Sequence, residues 1–429
     1  MPSRRKFLRT SMLSSLGVSA LGSALANVPT ILDASDIRRL ASLSDNEGDY
    51  WQAVRMQFPL KEGQTYFNNG TLGPMPNSTL NAITDNLRYN AVHAAETDYK
   101  GNGPQLLTGY FKYEDTRKRI GALINAAYDE IALTQNATFG MNYVANGLDL
   151  RKGDEIINTN QEHGGGFAAW QLLAKRRGCG YKQAVMPVPA NDPHQIVEAI
   201  FKEVTPKTKV IAIPHIVSVY GVVMPVKEIC ARAREKGIFT IIDGAQAVGQ
   251  VKVDVRDIGC DAYYSSLHKW LLAPAGSGIL YVRKERMPEI WATIASYNWD
   301  NQEDHGFRLM QNGTGNTALL AGLNAALDFY EAIGEERWLG RIKQLGDYLR
   351  AGLQQLDKVT IVSSTHPDMA AGITTYKVAG LSGPELQKRL WDEERLQPRS
   401  VGQELLRHSV HIYNNEEEIE RTFKVIKNI

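Results

Sequence analysis

The sequence predicts an α/β protein: a mostly parallel sheet in a large domain, with helices on both faces, followed by a smaller α+β domain. Three observations carry that expectation. Short β-branched runs alternate with helical patterns from Ile131 to Lys236, the order that builds a parallel sheet through helical crossovers. Some runs, such as Ile238-Phe239-Thr240-Ile241-Ile242, are apolar and β-branched without polar alternation, as suits strands buried on both faces. From Asn316 the pattern changes to two long helices and then to short strands and helices, which marks the second unit.

The elements follow in order. Residues 1–26 read as a twin-arginine (Tat) signal peptide. Ser3-Arg4-Arg5-Lys6-Phe7-Leu8-Arg9 has the pattern, Met12 to Leu21 is weakly apolar, and Ala24-Leu25-Ala26 is a small-x-small cleavage site. The apolar stretch is too short to span a bilayer, which takes about 20 apolar residues. The expectation is a periplasmic protein with no membrane span, delivered by the Tat export machinery and cleaved near Ala26. That route moves folded proteins, so a cofactor can travel inside a finished site. Removing the segment takes the formal net charge from +1 to −3, so no electrostatic footprint for nucleic acid exists.

Residues 27–66 read as an N-terminal arm, polar and irregular to about Asp49. A large domain is expected over 67–315. Phe67 to Pro76 is dense in Asn, Gly and Pro, a turn signal. Helices are predicted over Ser78–His93 and Leu106–Leu123. Strands are predicted at Ile131–Thr134, Glu155–Thr159, Gly180–Met186, Lys209–Pro214, Ile238–Asp243, Ala262–Ser266 and Gly278–Val282. Helices at Asn136–Asn146, Gly166–Arg177, Pro193–Val204 and Val226–Lys236 separate several of them. The last two strands are joined by too few residues for a helical crossover, so one should run antiparallel. Residues 316–429 are expected to form a long linking helix and a small C-terminal domain, to which the N-terminal segment contributes. Its strands are predicted near Val359–Val362, Ile373–Lys377 and Ser409–Tyr413.

Chemistry concentrates at two predicted strand ends. Asp243 closes one strand, and the next ends in Ser266-Leu267-His268-Lys269. In α/β sheets such ends present ligand-binding residues. An acid and a lysine there suit pyridoxal 5'-phosphate (PLP), which needs an amine for its aldehyde and an anion to keep its pyridine nitrogen protonated. Further pieces agree. Ala137 and Thr138 lie at a helix start, where free N–H groups bind phosphate. His163, beside three glycines, offers a flat ring to stack on a pyridine. Ser218 and Gln246 are placed to reach a phenolic oxygen. Gly313-Thr314-Gly315-Asn316 precedes a long helix and can donate to an anion. The three cysteines and nine histidines show no metal-ligand spacing, so no metal is expected.

The motifs NNGTLGP (68–74), QNATFGMN (135–142), QEHGG (161–165), DGAQAVG (243–249), SLHK (266–269), NGTGN (312–316) and RHSVHIYNNEEEIE (407–420) give the chain a close likeness over nearly all its length. It resembles the class V aminotransferases, the fold-type I PLP-dependent transferases that include cysteine desulfurases and isopenicillin N epimerase-like proteins. The resemblance implies a PLP enzyme in which Lys269 holds the cofactor and moves the Cα proton, Asp243 holds the ring nitrogen and His163 stacks on the ring. It implies that Gln246 contacts the phenolic oxygen and that Ala137, Thr138, Ser266 and His268 cradle the phosphate. Thr314 would reach the phosphate of a second subunit, making a homodimer with shared sites. Arg407 would clamp a substrate α-carboxylate, with Arg399 and Asn69 on the substrate side. Desulfurases carry a nucleophilic cysteine shortly after the position of Arg399; here that loop reads Ser400-Val401-Gly402-Gln403-Glu404, which disfavours persulfide chemistry and C–S lysis.

The expected function is therefore action at Cα of an amino acid or amino-acid residue. Exported members of the family include one that tailors the glutamyl group of the siderophore pyoverdine, and the similarity in length, signal and motif layout makes siderophore biosynthesis the leading specific expectation. The alternatives are an aminotransferase or epimerase on a free amino acid, or a silent PLP-binding protein.

Overall fold

The computed structural model describes residues 34–43, 47–96 and 111–429. The expected signal peptide lies outside them. The arm expected to be irregular is helical where it is described: α1 (Ala34–Leu43) and α2 (Glu47–Arg55). They bury Ile37, Tyr50, Trp51 and Val54 in the main core. These helices are short and mostly polar, so their few apolar residues did not register as a period; packing, not propensity, holds them. β1 (Thr65–Tyr66) and α3 (Asn77–Val92) follow. The helix expected from Leu106 is α4 (Glu114–Ile124); residues 106–110 fall outside the described part.

A seven-stranded sheet then assembles from β2 (Ile131–Thr134), β3 (Glu155–Thr159), β4 (Gly180–Ala184), β5 (Thr208–Pro214), β6 (Phe239–Asp243), β7 (Ala262–Ser266) and β8 (Gly278–Val282). Interleaved are α5 (Ala137–Gly147), α6 (Ala168–Arg177), α7 (Pro193–Phe201), α8 (Val226–Glu235) and the short α9 (Val255–Ile258). The strand order is β2-β8-β7-β6-β5-β3-β4. β8 runs antiparallel to both neighbours and the other pairings are parallel. Alternate residues of each strand face opposite helical layers. Ile211, Ile213, Ile242 and Tyr263 pack in one core cluster, and Val210, Ala212, Ile241 and Ala262 in the other. This is why the strands read as unbroken apolar runs.

After α10 (His305–Leu309), α11 (Thr317–Ile333) and α12 (Glu335–Gln354) lead into the smaller unit. A four-stranded antiparallel sheet in the order β12-β13-β10-β9 is built from β9 (Val359–Ile361), β10 (Ile373–Val378), β12 (Arg399–Val401) and β13 (Leu405–Ser409). α13 (Gly383–Glu394) and α14 (Glu416–Lys427) cover it, and β11 (Leu396–Gln397) pairs in parallel with β1. The last strand is thus 405–409, not Ser409–Tyr413. The stretch 409–413 misled because His411 and Tyr413 are buried in the main core against Trp270 and Phe58, so alternation there reflects packing without a ladder. A buried bidentate pair, Arg117 with Asp304, ties α4 to the start of α10, while Arg117 Nε donates to Ile131 O at 2.8 Å. Among the described residues no helix is long and apolar enough to cross a membrane.

Candidate active site

β6 and β7 lie side by side in parallel register, with Asp243 opposite Tyr264. Their carboxyl ends open into a cavity of about 250 Å³. Its walls bring together ten of the residues singled out from the sequence: Ala137, Thr138, His163, Ser218, Asp243, Gln246, Ser266, His268, Lys269 and Arg399.

Lys269 follows β7 on the tight turn 267–270. Burial lowers its pKa from 10.5 to about 8, against the opposing pull of the Asp243 carboxylate. A measurable share of the amine is therefore unprotonated near neutral pH, as a nucleophile needs. Asp243 is anchored by the Ala245 N–H, which donates to Oδ1 at 2.8 Å; burial raises its pKa and Lys269 restrains the rise. His163 Nδ1 accepts the Gly165 N–H at 3.1 Å, which leaves its proton on Nε2. Burial and then the cations Lys269, Arg399 and Arg407 lower its pKa. A neutral, flat ring results.

On the opposite side, Asn136 caps α5 by accepting the Phe139 N–H, while the Ala137 N–H donates to Ser266 Oγ at 2.9 Å. Thr138 follows in the first turn, where backbone N–H groups point out at the positive end of the helix. His268 Nδ1 is buried with no hydrogen-bond partner among the described residues, and burial pushes its pKa down to about 4. These unused polar groups fit the phosphate of the expected PLP, and the Asp243–Lys269 pair fits its ring nitrogen and aldehyde.

Arg407 sits on β13 with 1% of its surface exposed. Its guanidinium donates to Ser218 O and to Asn68 Oδ1, each at 2.9 Å, and to Thr71 Oγ1 at 3.1 Å. Nε has no partner, and no carboxylate pairs with it among the described residues. Burial and the neighbouring Arg399 lower its pKa to about 10. Arg407 is thus a buried cation held by neutral acceptors alone among the described residues, which suits it to binding an anion. Arg399 lies opposite Arg407 across the β12–β13 pair and also donates to Thr71 Oγ1 at 3.1 Å.

Three expectations need adjustment. Asn69 does not face the cavity: it is fully buried, its amide donates to Lys269 O at 3.2 Å, and its Oδ1 accepts the Tyr413 hydroxyl at 3.1 Å. With both ends of the amide engaged, it positions Lys269 from behind. Gln246 Nε2 already donates to Gly70 O at 2.8 Å and Ser218 Oγ at 3.3 Å, and Oε1 accepts Trp270 Nε1 at 2.7 Å. Contact with a phenolic oxygen must displace the longer bond to Ser218. Thr314 lines a different cavity, with Asn312, Thr134 and Gly278.

Asn68, Thr71 and Glu162 were missed as site residues. The NNGTLGP turn held the signal for the first two. Gly73 lets that turn approach so closely that a Cβ would stand 2.2 Å from Lys269 O. None of the three cysteines lines the Lys269 cavity.

The Aminotransferase class-V family model matches residues 66–422. The chain is 29% identical over 400 residues to isopenicillin N epimerase of Amycolatopsis lactamdurans, covering 88% of this chain and 98% of that protein. It is 32% identical over 410 residues to a probable cysteine desulfurase of Xylella fastidiosa, covering 86% and 93%. Among solved structures it resembles a C-DES mutant with glycine covalently linked to the PLP cofactor, with TM-score 0.77 and 27% identity, covering 87% of this chain and 99% of that one. The complex of the cystine C–S lyase C-DES with its product cysteine persulfide gives 0.76 and 26%, covering 87% and 100%.

Proposed function

The chain belongs to the class-V aminotransferase family, and on that premise we propose that it is exported to the periplasm and acts at Cα of an amino-acid residue within a larger metabolite. It is a PLP-dependent enzyme of that family. The glutamyl group of a siderophore such as pyoverdine is the specific substrate proposed, and a homodimer in which Thr314 serves the partner subunit's site is the proposed assembly. The twin-arginine signal, which sends a folded protein out of the compartment of free amino-acid metabolism, supports the location and the tailoring role.

The observation that carries the reading at Cα is Arg407, buried without a carboxylate beside the Lys269–Asp243 pair. PLP, when bound, supplies the electron sink that makes a Cα proton removable. The protein's residues do the rest. Arg407 orients the substrate carboxylate in a fixed fork. Lys269, held with a lowered pKa, takes and returns the proton at Cα. Asp243 keeps the negative charge where a protonated ring nitrogen needs it, and His163 walls the face toward solvent. Persulfide transfer to a cysteine of this chain has no residue to use, since Cys230 and Cys260 are buried in the core and Cys179 packs against the second core cluster, its thiol donating to Arg151 O.

Exchange of the Cα hydrogen for deuterium tests the reading. The PLP-loaded protein should exchange a peptide-bound glutamyl substrate faster than free amino acids. Rapid exchange of free amino acids alone would replace tailoring with the aminotransferase or epimerase alternative.

A further inference from the structure

Glu162 has no part in the chemistry described so far, yet it is half-buried near the catalytic acid. It follows β3, and its Oε1 accepts the Thr159 N–H at 3.1 Å and the Thr159 hydroxyl at 2.9 Å. Its Oε2 lies 3.6 Å from the point where a Cβ on Gly166 would stand, and Asp243 Oδ2 lies 3.4 Å from that same point. Asp243 Oδ1, for its part, is tied to the Ala245 N–H. Each carboxyl thus has one oxygen anchored to backbone and the other facing the same space beside Gly166.

Two half-buried carboxylates facing one gap repel each other, and the Asp243 charge disfavours a second charge on Glu162. Which one keeps the proton follows from the neighbours. Lys269 favours the charge on Asp243. The titratable groups acting on Glu162 are Asp243 from the end of β6, Tyr264 from β7 and Tyr181 from β4, none of them a cation. Both phenols are held neutral, Tyr181 pushed up to about 12 and Tyr264 well above its ordinary value. His163, next in the chain, has its pKa lowered and is neutral too.

We propose that Glu162 keeps its proton beside an ionised Asp243, and that Glu162 is a positioning residue that lets the cofactor's ring nitrogen face a single negative charge. The meaning of the pair rests on the PLP reading above; its existence does not. Burial, with a further contribution from Asp243, pushes the Glu162 carboxyl up to about 8. Above that pH the pair would carry two negative charges.

Infrared difference spectra of wild type against Glu162→Gln, recorded with and without PLP, test the inference. In cofactor-free wild type a protonated-carboxyl stretch should be present at about pH 6 and titrate away near pH 8, and Glu162→Gln should lack it. The Lys269 amine also titrates near pH 8, so PLP affinity inflects there in both proteins, and the carboxyl stretch is the readout: the PLP-loaded wild type should keep it at about pH 6 and the glutamine variant should lack it. A purely structural Glu162, ionised at pH 6, would show no such stretch. Absence of the carboxyl stretch in wild type, or its survival in Glu162→Gln, overturns the proposal. Should that variant not fold, Asp243→Asn gives the second arm: removing the like charge lowers the midpoint of the stretch by about a unit or more, and an unchanged midpoint overturns the pairing. Because the stretch is read without cofactor, failure of the PLP reading and failure of the pair are distinguishable.

Discussion

Replacing Lys269 by methionine should stabilise the cofactor-free protein while removing its chemistry. The amine sits in the cavity wall, where its pKa falls from 10.5 to about 8. A fall of that size means that the charged form is disfavoured by about 3 kcal/mol relative to water. Water entering the cavity screens part of this, so about 2 kcal/mol is the working figure. The attraction of Asp243 is already contained in it, since that carboxylate opposes the fall. The sign with pH is fixed. An unfolded chain keeps this amine protonated up to about pH 10.5, whereas the folded protein releases the proton near pH 8, so between those values the unfolded state binds more protons and stability rises with pH. At pH 7 the whole penalty is present. Methionine fills a similar unbranched volume without charge. Denaturant unfolding of the two cofactor-free proteins at pH 7 and pH 10 measures the effect. The methionine variant should be more stable by about 2 kcal/mol at pH 7, with the gap closing towards pH 10. Equal stability at pH 7, or a gap independent of pH, would refute the reasoning.

Other substitutions read out separate parts of the site. Arg407→Lys keeps a charge but loses the fork; losing one charge-assisted hydrogen bond to a carboxylate costs about 1.5–3 kcal/mol, so kcat/KM should fall roughly 10- to 100-fold, mostly through KM, in steady-state assays. Asp243→Asn should keep the fold by circular dichroism and lose roughly 100-fold or more in Cα hydrogen exchange, the scale of removing one preorganised electrostatic contact. Far from the cavity, Arg117→Ala strands the buried Asp304 carboxylate, a loss of about 3–5 kcal/mol that should show as a lower denaturant midpoint with intact spectral signs of PLP binding at low denaturant.

The large domain was legible because its strands are buried on both faces: each apolar run marks a strand, and β2, β3, β7 and β8 match their expected limits. That one of β7 and β8 runs antiparallel followed from the short link alone; the structure shows that it is β8. Asp243 and Lys269 were legible for the same reason, since strand ends in such a sheet are where ligands meet the chain. The smaller unit was harder. β13 carries Arg407, His408 and Ser409 as buried polar residues, a pattern that masks a strand, while the following Val410 to Tyr413 imitates one. Asn69 was read as a substrate contact because a conspicuous turn motif does not reveal which of two adjacent amides faces inward. Asn68 points to Arg407 and Asn69 to the back of Lys269, a choice made by the turn's backbone. Glu162 was invisible as chemistry because its significance lies in the nearness of Asp243, eighty-one positions later in the chain and two strands away in the sheet.

The central claim is that Lys269 holds PLP covalently in the cavity between β6, β7 and α5. Adding PLP to the purified, cofactor-free protein and recording its absorbance tests it most directly. Wild type should develop a visible band that persists through gel filtration and disappears on treatment with hydroxylamine, whereas Lys269→Ala should develop none. A wild-type protein that shows no such band, or an alanine variant that retains it unchanged, would contradict the claim.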